Sequence, residues 1–327
     1  MEKARRSCQT ILVVLLFLLL FPKSLGDLAL PSDLYTDHGG RLVALPPVIQ
    51  KVYATTERGT FLLYALEPDS IIGWNRGLSP EMEFAVQPNY WSLPTVGSWD
   101  RDHQTLQTET VLAQKPDLVI HFAPVDQANM ALVDEIQELL GIPAILLENS
   151  IKVLPDVLRL VGQILGREVR GQALATFVEN HLAQFASFQR LQIGYAPIPV
   201  HIVSPAEPGH FDELLELAGM VEMPVWHNQP PLPDFVLIMP HSVFDPYGEI
   251  EKDGHRRIHQ VPSFPCNWLE PGSLFSLLGL EWLHTIAYPA YDNDLAGTYK
   301  AFMEVFFQLH ITPELLDWTL RRSGISY

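Results

Sequence analysis

The chain has 327 residues, 47% of them apolar, and carries 38 acidic against 21 basic side chains, a formal charge of −17. That balance argues against nucleic acid and anionic lipid as partners. The length suits two packed domains, and no low-complexity block stands out among 27 scattered prolines.

The first predicted element is at the amino terminus. Lys3, Arg5 and Arg6 precede the apolar run Ile11 to Phe21, which Pro22 and Lys23 close before Ser24-Leu25-Gly26. This is the order of a secretory signal peptide, residues 1–26, cleaved after Gly26. The run is too short for the ~20 residues that cross a bilayer, and Cys8 lies before it, where a lipid anchor needs a cysteine just after. Processing leaves a soluble chain of 17 basic and 37 acidic residues, a charge of −20. Cys266 is then the one remaining cysteine, so no intramolecular disulfide can form and packed cores must supply the stability.

Short apolar runs follow at Val48 to Ala54, Ser70 to Trp74, Leu118 to Phe122 and Ala144 to Leu147, alternating with helical patterns at Phe61 to Leu66, Leu106 to Gln114 and Met130 to Leu140. The alternation predicts βαβ units on a mainly parallel sheet, a first α/β lobe over residues 27–150. From 151 to 194 no strand signal occurs. Leu154, Val157, Leu158, Val161, Ile164 and Leu165 recur at helical spacing, and after Gly166 a second pattern runs on from Val169 to Phe185. A short helix and a long one of roughly 24 residues, about 36 Å, are predicted to connect the lobes. Strand signals return at Val200 to Ser204, Phe235 to Met239 and Ile258 to Val261. Helices are predicted at Phe211 to Ala218, Leu274 to His284, Thr298 to Leu309 and Pro313 to Arg321. Residues 195–327 read as a second α/β lobe, giving two Rossmann-like lobes joined by a long rigid helix.

Pro94-Thr-Val-Gly97, followed by Leu106-Gln-Thr-Glu109 and Lys115-Pro-Asp-Leu-Val-Ile120, resembles the motif of periplasmic metal-chelate-binding proteins for ferric siderophores and vitamin B12. Leu42 to Ala54, Leu160 to Gly171, Asp212 to Gly219 and Pro233-Asp234-Phe-Val-Leu-Ile238 are similar to further segments of that family. Asn267 to Ser273 with Gly279 to Leu283 resembles its molybdate-type branch. One departure is the compressed, proline-rich Val225 to Pro231, where the family carries a longer helix-bearing stretch. The resemblance implies a class III periplasmic binding fold and a solute-binding subunit of an ABC importer. Such a protein is a periplasmic monomer without cofactor or enzymatic activity that delivers a metal chelate or an oxyanion to a permease and its ATPase. It also implies that surface glutamates, Glu109 and Glu222, dock on that permease.

Ligands of such folds sit at loops after the strand carboxyl ends, here Thr55 to Arg58, Trp74 to Arg76, Ser98 to Arg101 and Phe122 to Val125. Trp74, Arg76, Trp99 and Arg101 are the candidate ligand-binding residues of the first lobe. His255, Arg256, Arg257 and Trp268 are those of the second, where clustered cations suit an anion. For Trp74 and Trp99 the alternative is packing at the rim of the core; for the cationic run it is a solvated loop. No local metal motif is present, since His-Glu-x-x-His and Cys-x-x-Cys spacings are missing and His103, His121, His227 and His241 lie far apart, so no metal site is expected; the alternative is one assembled from distant loops. Cys266 reads as a buried small hydrophobe. Gly-x-Ser-x-Gly, a Walker loop and a dinucleotide turn are missing as well. The competing reading is a metallochaperone or an enzyme on the same scaffold, because fold alone does not fix function.

Overall fold

A computed structural model describes residues 33–321, apart from 81, 102, 192–193, 205, 207–208, 224–234, 241–256 and 291–292. The signal segment 1–26 and the compressed stretch at 225–231 lie outside the described residues.

The first sheet holds β3 (Val52–Ala54), β4 (Leu118–Phe122) and β5 (Ala144–Leu147), all parallel in the order β3-β4-β5. Every residue of the three is buried, as expected where helices cover both faces. Isolated parallel bridges extend the sheet outward from β3, Val52 with Ile71 and Trp74 with Thr95. The strand order therefore reverses between β3 and β4, which makes the carboxyl ends of those strands a topological switch point. Helix α1 (Glu57–Leu66) starts directly after β3, with the Thr56 hydroxyl accepting from Gly59 N at 3.3 Å. Helices α2 (Thr108–Gln114) and α3 (Gln127–Leu140) complete the lobe. Asp126 caps α3, and Gly141, at φ 67°, ends it. An antiparallel hairpin, β1 (Asp33–Thr36) and β2 (Leu42–Leu45), precedes these elements. Its turn residue Asp37 accepts from Leu146 N at 3.0 Å and pairs with Arg41, which fastens the hairpin to β5.

Helices α4 (Leu154–Ile164) and α5 (Glu168–Leu191) form the connection. They cross at two glycines. A Cβ on Gly171 would lie 2.6 Å from the Leu158 carbonyl oxygen and 3.2 Å from the Cα of Gly162, so only hydrogen fits between the two backbones.

The second sheet is parallel throughout, in the order β7 (Met220–Glu222), β6 (Ile198–Val203), β8 (Phe235–Ile238) and β9 (Arg257–Gln260). Helix α6 (Asp212–Leu217) links β6 to β7. Helices α7 (Ser276–Ala287), α8 (Leu295–Phe307) and α9 (Pro313–Arg321) follow the sheet. No described helix is long and apolar enough to cross a membrane.

Besides the long connecting helix, α7 and α8 also reach the first lobe directly. Phe61 meets Phe275 and Phe307 edge to face at 5.5 and 6.0 Å, and Tyr64 stacks on Phe307 at 5.9 Å. Arg170 of α5 donates to Ala65 O at 2.9 Å and to Phe306 O at 3.0 Å, capping this contact from the side. One apolar cluster runs from Val43 through both lobes to Leu320. Phe302 and Phe306 of α8 also meet Phe177 of α5, so the same helix packs on the connection.

Candidate functional site

The loops after the strands of both sheets face one another across a cleft, and two adjoining cavities, of about 600 and 500 Å³, lie within it. The larger is bounded by Thr56 to Arg58 after β3, by Ser98, Asp100, His103 and Thr105, and by Pro265, Cys266, Asn267, Glu270 and Ser273 of the second lobe. The smaller is bounded by Trp74 to Ser79 and Met82, by Gln260 to Pro265 after β9, and by Trp318 and Thr319 of α9. Both volumes fall within the ~300–1,000 Å³ range of small-molecule sites.

Local structure fixes each wall. Asn75, 5% exposed, donates through Nδ2 to Ala54 O at 2.9 Å and Gly97 O at 3.0 Å, while Thr60 Oγ1 donates to its Oδ1 at 2.6 Å. Both polar atoms of its side chain are used, so the loop bearing Arg76 is tied to β3. Gly97 has φ 77°, and a Cβ there would sit 2.0 Å from Thr105 O, so the turn that starts the Ser98 loop requires glycine. Thr55 and His121 are buried at the ends of β3 and β4, behind the loops of the cleft. Asn129 Nδ2 donates to Pro124 O at 2.8 Å, which leaves its Oδ1 to accept from His121 Nε2 at 3.2 Å. The other ring nitrogen, Nδ1, then accepts from the Thr55 hydroxyl at 2.6 Å. Burial lowers the His121 pKa to about 4, so the ring is neutral near pH 7 and acts as a structural hydrogen-bond bridge.

The charges of the cleft come in pairs. Arg76 Nε donates to Glu57 Oε1 at 2.9 Å within the first lobe. Arg58 donates through Nε to Phe122 O at 3.1 Å and through Nη1 to Glu270 Oε1 at 3.2 Å, an ion pair that spans the two lobes. Asp100 and His103 face each other at 3.5 Å. Burial raises the Glu57 pKa, with Arg76 acting against the shift and Glu270 adding to it. Burial also holds the Cys266 thiol well above its usual range, which keeps it protonated and a poor nucleophile. Among the described residues, no three His, Cys, Asp or Glu side chains converge as metal ligands.

The residues expected to bind ligand are placed apart. Arg76 lines both cavities. Trp74 borders the smaller one but is 3% exposed, its Nε1 donating to Tyr90 O at 2.9 Å. Trp99 is half-buried against the core, with Nε1 donating to Leu132 O at 3.2 Å, and Arg101 pairs with Asp126 at the start of α3. Neither borders the two cavities. Trp268 belongs to the core. It is fully buried, stacks on Tyr299 at 5.6 Å, and donates to Phe264 O at 2.8 Å. Arg257 starts β9, and its guanidinium lies 4.6 Å over the Phe235 ring, at the end of the sheet opposite Gln260 and the cleft. His255 and Arg256 lie outside the described residues. Glu109 is exposed in the first turn of α2. Glu222 differs from the expected surface carboxylate. It ends β7 half-buried, its Oε2 has no hydrogen-bond partner among the described residues, and burial raises its pKa. The charged residues the cleft does use, Glu57, Arg58, Asp100, His103 and Glu270, were not singled out from the sequence. Glu57, Arg58 and Asp100 nevertheless fall within the loops that the strand-end rule selects.

The architecture has counterparts among solved structures. An ABC transporter solute binding protein from Sulfurospirillum deleyianum superposes with a TM-score of 0.75 at 20% identity, over 88% of this chain and 98% of that one. The molybdate-bound periplasmic binding protein MolA from Haemophilus influenzae gives 0.64 at 16%, over 86% and 99%. A TroA-like periplasmic binding protein, FepB from Veillonella parvula, gives 0.61 at 18%, over 85% and 97%. No family model matches the chain, and no curated protein matches its sequence. The fold is that of the periplasmic solute-binding proteins of ABC transporters, in agreement with the resemblance carried by the sequence motifs.

Proposed function

We propose that this chain is an extracytoplasmic solute-binding protein of an ABC importer, which takes an anionic metal chelate or oxyanion between its lobes and delivers it to a membrane permease and its ATPase. In this reading residues 1–26 direct export to the periplasm, and residues 27–150 and 195–327 are the lobes. Residues 151–194 connect them. The observation that supports it most is the cleft at the carboxyl ends of both sheets, where Arg58 and Arg76 stand at the walls of cavities large enough for a small molecule. Guanidiniums at such a position offer bidentate donors to carboxylate or oxyanion groups. The counterpart bound to molybdate supports a solute of that charge. The cleft charges are paired with one another, an arrangement suited to holding a solute in place. Glu109 is the docking glutamate of this reading; the half-buried Glu222 is a poor second.

The test is a thermal-shift screen of the processed protein against molybdate, ferric citrate, ferric hydroxamates and cobalamin. A ligand at hundredfold excess over its Kd adds ~2.7 kcal/mol of stability, a shift of several degrees for a chain of this size. Glu109→Ala is expected to reduce uptake in cells while leaving that shift intact. A protein that ignores every solute in the panel, or an uptake unchanged in Glu109→Ala, would count against the respective half of the proposal.

A further inference from the structure

The two cavities share Glu57, Asn75, Arg76, Ser263 and Pro265, so the Glu57–Arg76 ion pair stands on the boundary between them. The pair is anchored unequally. Glu57 is the first residue of α1, and its side chain is 32% exposed; the Arg76 side chain is 67% exposed and reaches into the cleft from a loop whose neighbour Asn75 is fully bonded. Arg76 is therefore the more exposed partner and Glu57 the carboxylate that holds it. Arg58 is held differently, by Phe122 O on one side and Glu270 on the other.

Resting on the solute-binding reading, we infer that Glu57 is an internal competitor for the ligand. An anionic group of the solute displaces the Glu57 carboxylate from Arg76, and the boundary opens so that one solute occupies both cavities. A bare tetrahedral oxyanion would fill only a small part of either cavity, which favours an organic anion or carboxylate chelate with two arms over molybdate itself. The competition also couples capture to protons. Glu57 faces Arg76 from the 71–76 segment, Arg58 on its own helix, Asp100 and His103 from the 98–105 loop, and Cys266 and Glu270 from the second lobe. Burial, with Glu270 contributing, makes this carboxyl take up a proton at a higher pH than an ordinary glutamate. Protonation removes the competitor, so anion affinity rises as the pH falls.

Binding of ferric citrate and of molybdate to the processed protein, followed by tryptophan fluorescence and calorimetry from pH 8 to pH 5, tests this. Because wild type and Glu57→Gln meet the same solute, its own protonation cancels in the ratio of their Kd values. Glu57→Gln is expected to bind ferric citrate about three- to fivefold more tightly at pH 8, the scale of a partly exposed ion pair. That advantage should fall towards one as the pH is lowered, and ferric citrate should be bound more tightly than molybdate. Arg76→Ala is expected to lose affinity and to abolish the effect of Glu57→Gln in the double variant. Equal or weaker binding by Glu57→Gln at pH 8, or an advantage that persists in the Arg76→Ala background, overturns the competitor role while the solute-binding reading stands. Absence of binding by wild type to both solutes overturns both.

Discussion

Phe307 is the ring on which contact between the lobes converges. It is 1% exposed and lies 5.4 Å from Phe275 in a near-parallel stack, 5.9 Å from Tyr64, 6.0 Å from Phe61 and 5.9 Å from Phe302. Two of these rings belong to α1 of the first lobe and two to the second. Phe307→Ala removes the ring and leaves a cavity that can close only if α1 and α8 move together, which the α4–α5 connection and Arg170 resist. A cost of about 4–5 kcal/mol is expected, the upper part of the ~3–5 range for buried aromatic truncation. Against a total stability of ~5–15 kcal/mol that is a large fraction. Urea unfolding measured by tryptophan fluorescence and by far-UV circular dichroism supplies the value. The same experiment reports whether the lobes still unfold together. In Phe307→Ala the two transitions should separate, and Phe307→Leu, which refills most of the volume, should cost far less. A loss below about 1 kcal/mol with coincident transitions would refute the claim that this cluster joins the lobes.

Gly171→Ala places a Cβ 2.6 Å from the Leu158 carbonyl oxygen. A helix-propensity gain of ~1 kcal/mol is outweighed by an overpacking cost of ~1–3 kcal/mol, so thermal melts should show a net loss, and an unchanged or raised Tm would argue against a tight crossing there. Glu281 of α7 is 7% exposed, and burial, with a contribution from Asp294, raises its pKa to about 7. The folded state thus binds its proton more tightly than the unfolded state. The stability this proton contributes is fully present below the ordinary value near 4.5 and is lost as the pH rises through about 7, a fall of about 3 kcal/mol. Glu281→Gln should flatten that part of the pH–stability profile and leave the protein more stable at pH 8; a profile identical to wild type would disprove the assignment.

Strands and helices whose signal is local were legible in the sequence. The runs Leu118 to Phe122 and Ala144 to Leu147 coincide with β4 and β5, since an unbroken apolar run of that length suits a strand covered on both faces. The long connecting helix, expected over roughly 24 residues, spans 24. The hairpin β1–β2 escaped because it buries little: Leu34 and Leu42 face outward at 66% and 69% exposure, so no alternation marks it. Strand β7 is three residues long and follows Gly219 directly, too short for any period to show. The joining of the lobes by α8 was hidden as well, because helical spacing shows that Phe302, Phe306 and Phe307 are buried but not what they are buried against.

For the site, the strand-end rule found the loops, and residue type chose poorly within them. Tryptophan was favoured as flat apolar surface for a solute. Yet the indoles of Trp74, Trp99 and Trp268 each donate to a backbone carbonyl, of Tyr90, Leu132 and Phe264. A ring fixed by such a bond is part of the wall's support, whatever its position in the sequence. The cationic run around Arg257 was favoured as a cluster, but a β-strand spreads its residues along the sheet. Arg257 thus emerges at the far end of β9 from Gln260, which does reach the cleft. Conversely, Arg58 and Glu270 stand 212 residues apart and meet only because both sheets aim their carboxyl ends at the same space. Local sequence therefore specifies which segments border a cleft. Which charges stay open to solvent depends on pairings across the lobes, and among the described residues those pairings leave Arg76, whose ion pair is with Glu57, more exposed than Arg58.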